Sequence, residues 1–170
     1  ERYRMPVVIF LDSPGAYAGV DAEKRNQSEA IASSILQMTS LTVPIIVFVV
    51  GEAMSGGAMA MGVSDHTIML SQSVYSVISP EGCSGILWKD KLHVQDAAEA
   101  MQMTAPKLLK NGFIDKIIDE PASGIHLDFD SVISDVHASL KEILTKLSAL
   151  STDELLKRRE SRLMQLNKAF

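Results

Sequence analysis

Short apolar runs alternate with polar, glycine-rich segments through the first two thirds of the chain. The runs at 5–11 and 43–50 are rich in β-branched residues, which favours strands buried on both faces. Between them, apolar residues recur at helical spacing at Ile31, Ile35 and Met38, which predicts a helix. The order strand, helix, strand predicts a parallel α/β unit with a right-handed crossover.

The pattern changes in the last third of the chain, where helical periodicity dominates. Between the second apolar run and this last third, short apolar runs at 67–70, 74–78 and 114–118 predict three more strands. From Phe129 onward one apolar face of a long amphipathic helix is formed by Val132, Ile133, Val136, Leu140, Ile143, Leu144 and Leu147. The chain is therefore predicted to be an α/β domain that closes with long helices.

Helix starts are indicated by small polar residues. Asp21 is a candidate cap of the first helix, Ser79 precedes a proline as a helix start does, and Ser151 with Glu154 has capping-box spacing. The last helix is predicted to run towards Asn167. Its basic residues are expected to form a solvated face, with docking to an acidic partner as the alternative; they are Lys157, Arg158, Arg159 and Arg162.

The stretch at 51–62 follows the second apolar run and begins a helical segment of small residues and methionines. Strand, tight turn and helix meet at Ser55, Gly56 and Gly57. Two glycines allow the backbone to approach a ligand, because no Cβ stands in the way. Backbone N–H groups at such a turn can hold an oxygen that gains negative charge during a reaction. A plain tight turn is the alternative interpretation.

A second turn, at Gly15 and Ala16, follows the first predicted strand. The carboxyl ends of neighbouring parallel strands lie at one edge of a sheet, where ligands bind in such folds. One N–H group from each turn is therefore expected to converge on a single oxygen. A donor in a two-donor oxyanion hole contributes roughly 3–4 kcal/mol.

Ser55 also suggests a rival chemistry, because its surroundings are one residue away from a nucleophile elbow. Asp65 or Asp96 would orient the base in a serine hydrolase. The candidate bases are His66, His93, His126 and His137. We favour a cap role for the Ser55 hydroxyl over a nucleophilic one. Glu52 and Glu81 are candidate acid–base residues that can equally be solvated or cap backbone groups. Cys83 is expected in the core, and the methionines Met54, Met59, Met61 and Met69 are expected to fill a tightly packed region.

Composition narrows the class of protein. The chain of 170 residues has 46% hydrophobic and 22% charged residues, as one globular domain does. The net charge of −5 argues against a nucleic-acid partner, and the longest apolar run is too short to span a bilayer. The single Cys83 fits a reducing compartment, and no Cys/His cluster has metal-ligand spacing. The chain begins at Glu1, and we interpret it as a fragment or a processed product.

Several motifs together resemble the carboxyltransferase α subunit of multisubunit acetyl-CoA carboxylase. They are Asp-Ser-Pro-Gly-Ala-Tyr at 12–17, Gln-Ser-Glu-Ala-Ile-Ala at 27–32, Ser-Gly-Gly-Ala at 55–58, Ser-Val-Ile-Ser-Pro-Glu-Gly-Cys at 76–83, Ile-Leu-Trp-Lys at 86–89 and a late Leu-Lys-Arg-Arg. The resemblance covers nearly the whole chain and implies that residues 1–170 form the C-terminal portion of that subunit. It also implies the crotonase (ClpP-like) fold, which is built from repeated ββα units.

The function implied by the resemblance is transfer of a carboxyl group from carboxybiotin to acetyl-CoA, giving malonyl-CoA. Biotin arrives on a separate carrier protein that a biotin carboxylase loads. A β subunit with a zinc ribbon completes the active site, in an α2β2 heterotetramer of the cytoplasm, or of the plastid stroma if the chain comes from a plant. The family's roles assign the catalytic turns to Gly56, Gly57, Gly15 and Ala16, and biotin binding also to Tyr17 and Ser55. No metal is assigned to this chain.

The sequence departs from the family pattern in its glycine turn. The family usually has Gly-Glu-Gly-Gly-Ser-Gly-Gly there, whereas this chain has Ala53 and Met54 in the middle. Pro usually stands where Ala18 is, and the segment 90–94 is altered. Hydratases of the same fold usually have a Glu shortly after their glycine turn. The residues that follow Gly57 here are apolar and include no Glu, which favours transfer over hydration. A non-catalytic homologue with an assembly or regulatory role is the alternative, and the acceptor remains either acetyl-CoA or propionyl-CoA.

Overall fold

The computed structural model describes residues 1–90 and 92–166. Its strands are β1 (Val7–Ser13), β2 (Ile45–Met54), β3 (His66–Leu70), β4 (Val74–Ser76) and β5 (Lys116–Ile118). Its helices are α1 (Val20–Lys24), α2 (Gln27–Ser40), α3 (Ser55–Met61), α4 (Pro80–Leu87), α5 (Val94–Met101), α6 (Ala105–Lys110), α7 (Phe129–Ser148) and α8 (Thr152–Leu166), with a short 3₁₀ turn at Ile125–Leu127. The predicted strand runs are confirmed.

The strands form one parallel sheet in the order β1-β2-β3-β5. β2 is the longest strand, and its first half lies between β1 and β3. Its last residues, from Glu52 to Met54, pair with β4 in place of β3. β2 is therefore the central strand that carries the chain from the main sheet to the glycine turn. The predicted parallel α/β architecture is confirmed.

The pairing of β1 with β2 is irregular near its carboxyl end. Leu11 pairs with Val49, but the next pair joins Ser13 to Ala53, so β2 has three residues where β1 has one. The carboxylate of Asp12 fills this irregularity, since its Oδ1 accepts the backbone N–H of Glu52 at 2.9 Å. The Asp12 side chain thus replaces a backbone acceptor of β1, and regular pairing of the two strands resumes at Ser13 and Ala53.

Helices cover both faces of the sheet. On one face, apolar side chains of β2 and β3 pack against α7 and α8; the cluster includes Ile46, Phe48, Ile68, Leu70, Val132, Val136, Ile143, Leu147 and Leu155. On the other face, β2 and β3 pack against α3 and α6; this cluster includes Val47, Val49, Ala53, Ala58, Met69, Ala105 and Leu108. A strand with two buried faces is continuously apolar, which explains the run that β2 shows in the sequence.

The helix starts follow the predictions with one exception. Ser79 Oγ accepts the N–H of Gly82 at 3.2 Å, and Ser151 and Glu154 form the predicted capping box. The prediction for Asp21 is wrong, because Gly19 occupies the cap position of α1 and Asp21 lies inside the helix. The predicted single helix is two helices, since Asn26 adopts a left-handed conformation (φ 57°) between them. Asn167 lies outside the described residues.

The prediction of a solvated basic face on the last helix is wrong for Arg159 and Arg162. Arg159 is 1% exposed, and it pairs with Asp65, which is completely buried. Arg162 is mostly covered and pairs with Asp115. Lys157 and Arg158 are exposed, as expected. Within the described part of the chain, every helix is too short or too polar to cross a membrane.

Candidate active site

The two glycine turns lie at the carboxyl ends of β1 and β2. Ser13 and Ala53 are register partners, so the two strands end together and the segments after them start side by side. The turn after β1 contains Gly15 and Ala16, and β2 continues directly into α3 at Ser55. The expected meeting of the two turns at one edge of a parallel sheet is therefore found.

The turns approach so closely that little more than hydrogen fits between them. A Cβ built on Gly15 would lie 3.1 Å from Ser55 Cβ and 3.5 Å from the carbonyl oxygen of Met54. A Cβ built on Gly56 would lie 3.2 Å from Ala16 Cβ and 2.8 Å from Ile31 Cδ1. Both distances for Gly56 are tighter than ordinary van der Waals contact. The small residues at these positions are a consequence of this close approach.

Gly57 faces the end of β1 from the other side of the gap. A Cβ on Gly57 would lie 2.6 Å from Ser13 Oγ and 3.4 Å from the carbonyl carbon of Gly15. Glycine at 15, 56 and 57 is therefore required by the close approach of the two turns, and we call the place where they meet the cradle. Because no side chain caps α3, the backbone N–H groups at its start are the polar groups that this cradle offers to a ligand.

The backbone at this point is held in a sparsely populated conformation. Ser55 has φ 54° and Gly15 has φ 125°, and only glycine adopts such values without strain. The prediction that Ser55 caps α3 is wrong, because Met54 is the cap residue and no side chain accepts a hydrogen bond there. Ser55 is instead the first residue of α3 and forms the bend between strand and helix.

Tyr17 directly follows Ala16 in the chain and is 74% exposed. Its backbone is held by Gln27, whose side-chain amide, oriented by its hydrogen bonds, pairs with the carbonyl oxygen and the N–H group of Tyr17 at 2.8 and 3.2 Å. A cavity of about 400 Å³ lies next to it and is lined by Tyr17, Asp21, Ala22, Arg25 and Gln27. The phenol ring lies over Gly19, where an added Cβ would meet Tyr17 Cζ at 2.8 Å.

The arrangement of the histidines disfavours the serine hydrolase. His66 pairs in register with Ile46, at the amino end of β2, whereas Ser55 follows its carboxyl end. Asp65 binds Arg159, and His93 pairs with Asp96 at 2.8 Å on the surface. Among the described residues, none of the hydrogen bonds joins Ser55 to a histidine. The described contacts hold no Ser–His–Asp triad.

The other candidate residues take ordinary positions. The Glu52 and Glu81 side chains are exposed. The expectation that Cys83 lies in the core is wrong, because it is only half-buried on α4. The methionines do not all fill the core as expected, since Met69 is buried but Met59 is 48% exposed. Within the described residues, no group of three or more His, Cys, Asp or Glu side chains is placed to hold a metal ion.

Sequence reasoning missed the two residues that join the turns, Asp12 and Ser13. Asp12 accepts the Glu52 N–H, and its carboxylate lies where a Cβ on Gly51 would be. Ser13 Oγ accepts the N–H of Gly15 at 3.4 Å. The signal was available in the sequence, because Asp and Ser directly before Pro-Gly commonly bind backbone groups of a turn.

Comparison with known proteins shows extensive sequence similarity. The family described as "Acetyl co-enzyme A carboxylase carboxyltransferase-like" matches residues 1–167. An acetyl-coenzyme A carboxylase carboxyl transferase subunit alpha of Photobacterium profundum is 53% identical over 164 residues, which are 96% of this chain and 51% of that protein. The counterpart of Geobacter metallireducens is 46% identical over 168 residues, which are 99% of this chain and 53% of that protein. The chain spans about half the length of these relatives.

Solved structures of low sequence identity share the fold. A Pseudomonas malonate decarboxylase hetero-tetramer in complex with coenzyme A matches with a TM-score of 0.75 and 17% identity, over 96% of this chain and 66% of that one. A transcarboxylase 12S matches with a TM-score of 0.61 and 24% identity, over 68% and 23%. A probable enoyl-CoA hydratase of Mycobacterium thermoresistibile matches with a TM-score of 0.58 and 14% identity, over 95% and 69%. The predicted crotonase-like α/β fold is confirmed.

Proposed function

Because this chain belongs to the acetyl co-enzyme A carboxylase carboxyltransferase-like family, we propose that it is a carboxyltransferase α-type domain over residues 1–170. It takes part in moving a carboxyl group from carboxybiotin to acetyl-CoA, which gives malonyl-CoA for fatty acid synthesis. The observation that carries this proposal is the meeting of the turn at Gly15–Ala16 with the turn at Gly56–Gly57, at the ends of adjacent parallel strands.

The residues of the two turns have different parts in holding an oxygen. Gly56 and Gly57 are the second and third residues of α3, so their N–H groups have no partner within the helix. The N–H of Gly15 points to Ser13 Oγ, so Ala16 is the donor on the β1 side, and Gly15 provides room. Biotin supplies the ureido group that carries the carboxyl, and its oxygen gains negative charge when the carboxyl leaves. Donors fixed before the reaction stabilise that charge without reorganising.

The surroundings of the turns favour this role over acid–base chemistry. Gly57 is followed by Ala58, which is buried, and by Met59 and Ala60, so the first turn of α3 carries no carboxylate. Ala53, one of the departures from the family pattern, points into the core and pairs with Ser13 and Tyr75. The departure therefore changes the packing under the turn and leaves the cradle itself composed of small residues.

The remaining parts of the reaction lie on other chains in this proposal. A β subunit with a zinc ribbon holds acetyl-CoA and completes an α2β2 heterotetramer, and a carrier protein loaded by biotin carboxylase delivers biotin in the cytoplasm. The relatives carry the name subunit alpha, which supports a multisubunit complex. The isolated chain is accordingly expected to form no malonyl-CoA.

The test is the change Gly57→Ala in the full α subunit assembled with its β subunit. We expect turnover to fall about 10²- to 10³-fold, because the added Cβ occupies the cradle and displaces the Ser13 hydroxyl. The matched control is Gly85→Ala on α4, where a Cβ would meet nothing within 4 Å. This control should keep full turnover.

The comparison requires that both variants have the thermal midpoint of the unmodified complex and assemble with the β subunit to the same extent. Normal turnover of a well-folded Gly57→Ala complex would contradict the site assignment. An unmodified complex that assembles but transfers no carboxyl group would favour the non-catalytic homologue.

A further inference from the structure

Ser13 occupies the gap between the two glycine turns. Its Oγ accepts the N–H of Gly15 at 3.4 Å and lies 2.6 Å from the place that a Cβ on Gly57 would take. The missing Cβ at Gly57 is therefore what lets the hydroxyl lie against the start of α3. Among the side chains recorded against the three glycines of the two turns, those of Ser55, Ala16 and Ile31 contribute carbon atoms, and that of Ser13 contributes a hydroxyl oxygen.

The Ser13 hydroxyl has an unused hydrogen-bond donor. A serine hydroxyl can donate one hydrogen bond and accept two. Ser13 Oγ is used as an acceptor by Gly15, and its O–H has no acceptor among the hydrogen bonds of residues 1–90 and 92–166. The side chain is half-buried at the mouth of the cradle. The hydroxyl proton can rotate towards a ligand while the oxygen stays in place.

The position of Ser13 depends on the irregularity in the sheet. β2 has three residues opposite the single residue Asp12, whose carboxylate accepts the Glu52 N–H at 2.9 Å. The pairing then resumes at Ser13 and Ala53. This shift places the Ser13 side chain level with Gly57 instead of further back along β2. The hydroxyl is thus fixed by two strands rather than by a flexible loop.

We propose that Ser13 is a catalytic residue, the side-chain donor that joins the backbone N–H groups in binding the oxygen held between the turns. Its ligand is an amide-like or urea-like carbonyl oxygen that gains negative charge. The proposal rests on the proposed function and adds to it one residue outside the glycine turns. Hydrogen bonds to a charged acceptor are about twice as strong as those to a neutral one, so the contribution grows as the charge develops.

The experiment compares Ser13→Ala with Ser13→Thr in the full α subunit assembled with its β subunit. Ser13→Ala should lower kcat on the order of a hundredfold, the effect of removing one oxyanion donor. The KM for acetyl-CoA should stay within about twofold, because uniform substrate binding is not affected. Ser13→Thr keeps the hydroxyl and should retain most of the turnover.

A binding measurement without turnover gives a second readout. Free biotin titrated calorimetrically into the assembled complex should bind about three- to tenfold more weakly to Ser13→Ala, as expected for one lost neutral hydrogen bond. Ser13→Thr should bind biotin as the unmodified complex does. Equal thermal midpoints of the three proteins would exclude a general loss of folding.

A double substitution tests whether the Ser13 hydroxyl and Gly57 act on the same oxygen. Because a Cβ at position 57 displaces Ser13 Oγ, Ser13→Ala should cost little further turnover in the Gly57→Ala background. Normal kcat of Ser13→Ala, with a large loss for Gly57→Ala, would overturn this inference and leave the proposed function intact. Equal losses for Ser13→Ala and Ser13→Thr would also overturn it. Normal turnover of both Gly57→Ala and Ser13→Ala would contradict the assignment of the site to the two turns as well as this inference, whereas an unmodified complex without turnover would contradict the proposed function.

Discussion

The two ends of the parallel sheet are built in opposite ways. At the carboxyl end, where the glycine turns meet, the structure uses backbone groups, small residues and left-handed conformations. At the amino end, it uses long charged side chains that are buried and paired. The candidate site thus offers backbone groups at its surface, while the opposite end is held by paired side chains.

The amino end is organised around Arg159. Its guanidinium donates to both carboxylate oxygens of Asp65, at 2.9 and 2.8 Å. It also donates to carbonyl oxygens at the end of α2 and before β2, namely those of Met38, Thr39, Leu41 and Val43. Asp65 in turn accepts the N–H of Ile45 at 2.8 Å. The buried charges are therefore paired and hydrogen-bonded, as burial requires.

A second ion pair lies beside it on α8. Arg162 donates to Asp115 at 2.6 Å, and Asp115 accepts the N–H of Thr67 at 2.7 Å. These contacts join α8 to β3 and to the segment that precedes β5. The buried ion pairs thus lie at the end of the sheet opposite the glycine turns. Strained backbone such as that at Ser55 persists where the surrounding structure holds it in place.

The largest effect in this comparison is expected from Arg159→Ala. The change leaves Asp65 charged, buried and without its partner, which costs about 3–5 kcal/mol of unfolding free energy. Urea denaturation measures the loss. The matched control is Arg158→Ala, the neighbouring arginine, which is exposed and should stay within about 0.5 kcal/mol. A loss below about 1 kcal/mol for Arg159→Ala would show that the amino end does not hold α8 in this way.

A smaller effect of opposite sign is expected from Ser55→Gly. Glycine relieves the left-handed strain at φ 54°, of order 1–3 kcal/mol, but it also gives the unfolded chain more freedom. The net expectation is a stabilisation of about 1 kcal/mol, measured by urea denaturation. Ser55→Ala keeps the strain and loses no cap, so it should change stability by less than about 0.5 kcal/mol.

Chemical labelling of Ser55 distinguishes the proposed carboxyltransferase from a serine hydrolase. A fluorophosphonate probe should leave Ser55 unlabelled, because no histidine is bonded to it in the described structure. Stoichiometric labelling of Ser55 would reverse this conclusion. For the stability prediction, a lower free energy of unfolding of Ser55→Gly would show that the serine side chain stabilises the bend and that the backbone there is not strained.

The smallest effect concerns pH at the amino end. Burial lowers the pKa of the His66 imidazole below its ordinary value of 6.5, while the nearby Asp115 acts in the opposite direction. The unfolded chain therefore binds a proton more readily than the folded one just below pH 6.5, so stability decreases as the pH falls from 6.5 towards the folded pKa. His66→Gln should flatten this decrease in denaturation experiments between about pH 7 and 5.

The exposed His93 provides the internal comparison. Its hydrogen bond to Asp96 raises the pKa of the imidazole, so any stability it gives is present below pH 6.5 and decreases as the pH rises through the folded pKa. His93→Gln should therefore alter the pH profile in the opposite direction to His66→Gln. Identical profiles for the two variants would contradict the assignment of His66 to a buried environment.

Local signals in the sequence predicted much of the fold. The β-branched run before the glycine turn is β2, and the apolar period after Phe129 is α7. The caps at Ser79 and Ser151 were also predictable, because each is satisfied within three residues. The glycine pairs indicated the candidate site, since close backbone approach requires residues without a Cβ. These features depend only on neighbours along the chain.

The tertiary structure decided the features that depend on distant residues. Arg159 and Asp65 are 94 positions apart, and nothing near either residue in the sequence distinguishes it from a solvated charge. The shift between β1 and β2 likewise arises from pairing of separate strands, and it is this shift that brings Ser13 level with Gly57. Periodicity specifies which face of an element is buried. Only the packed chain specifies which polar groups on that face meet, because a buried charge is stable only where a partner from elsewhere reaches it.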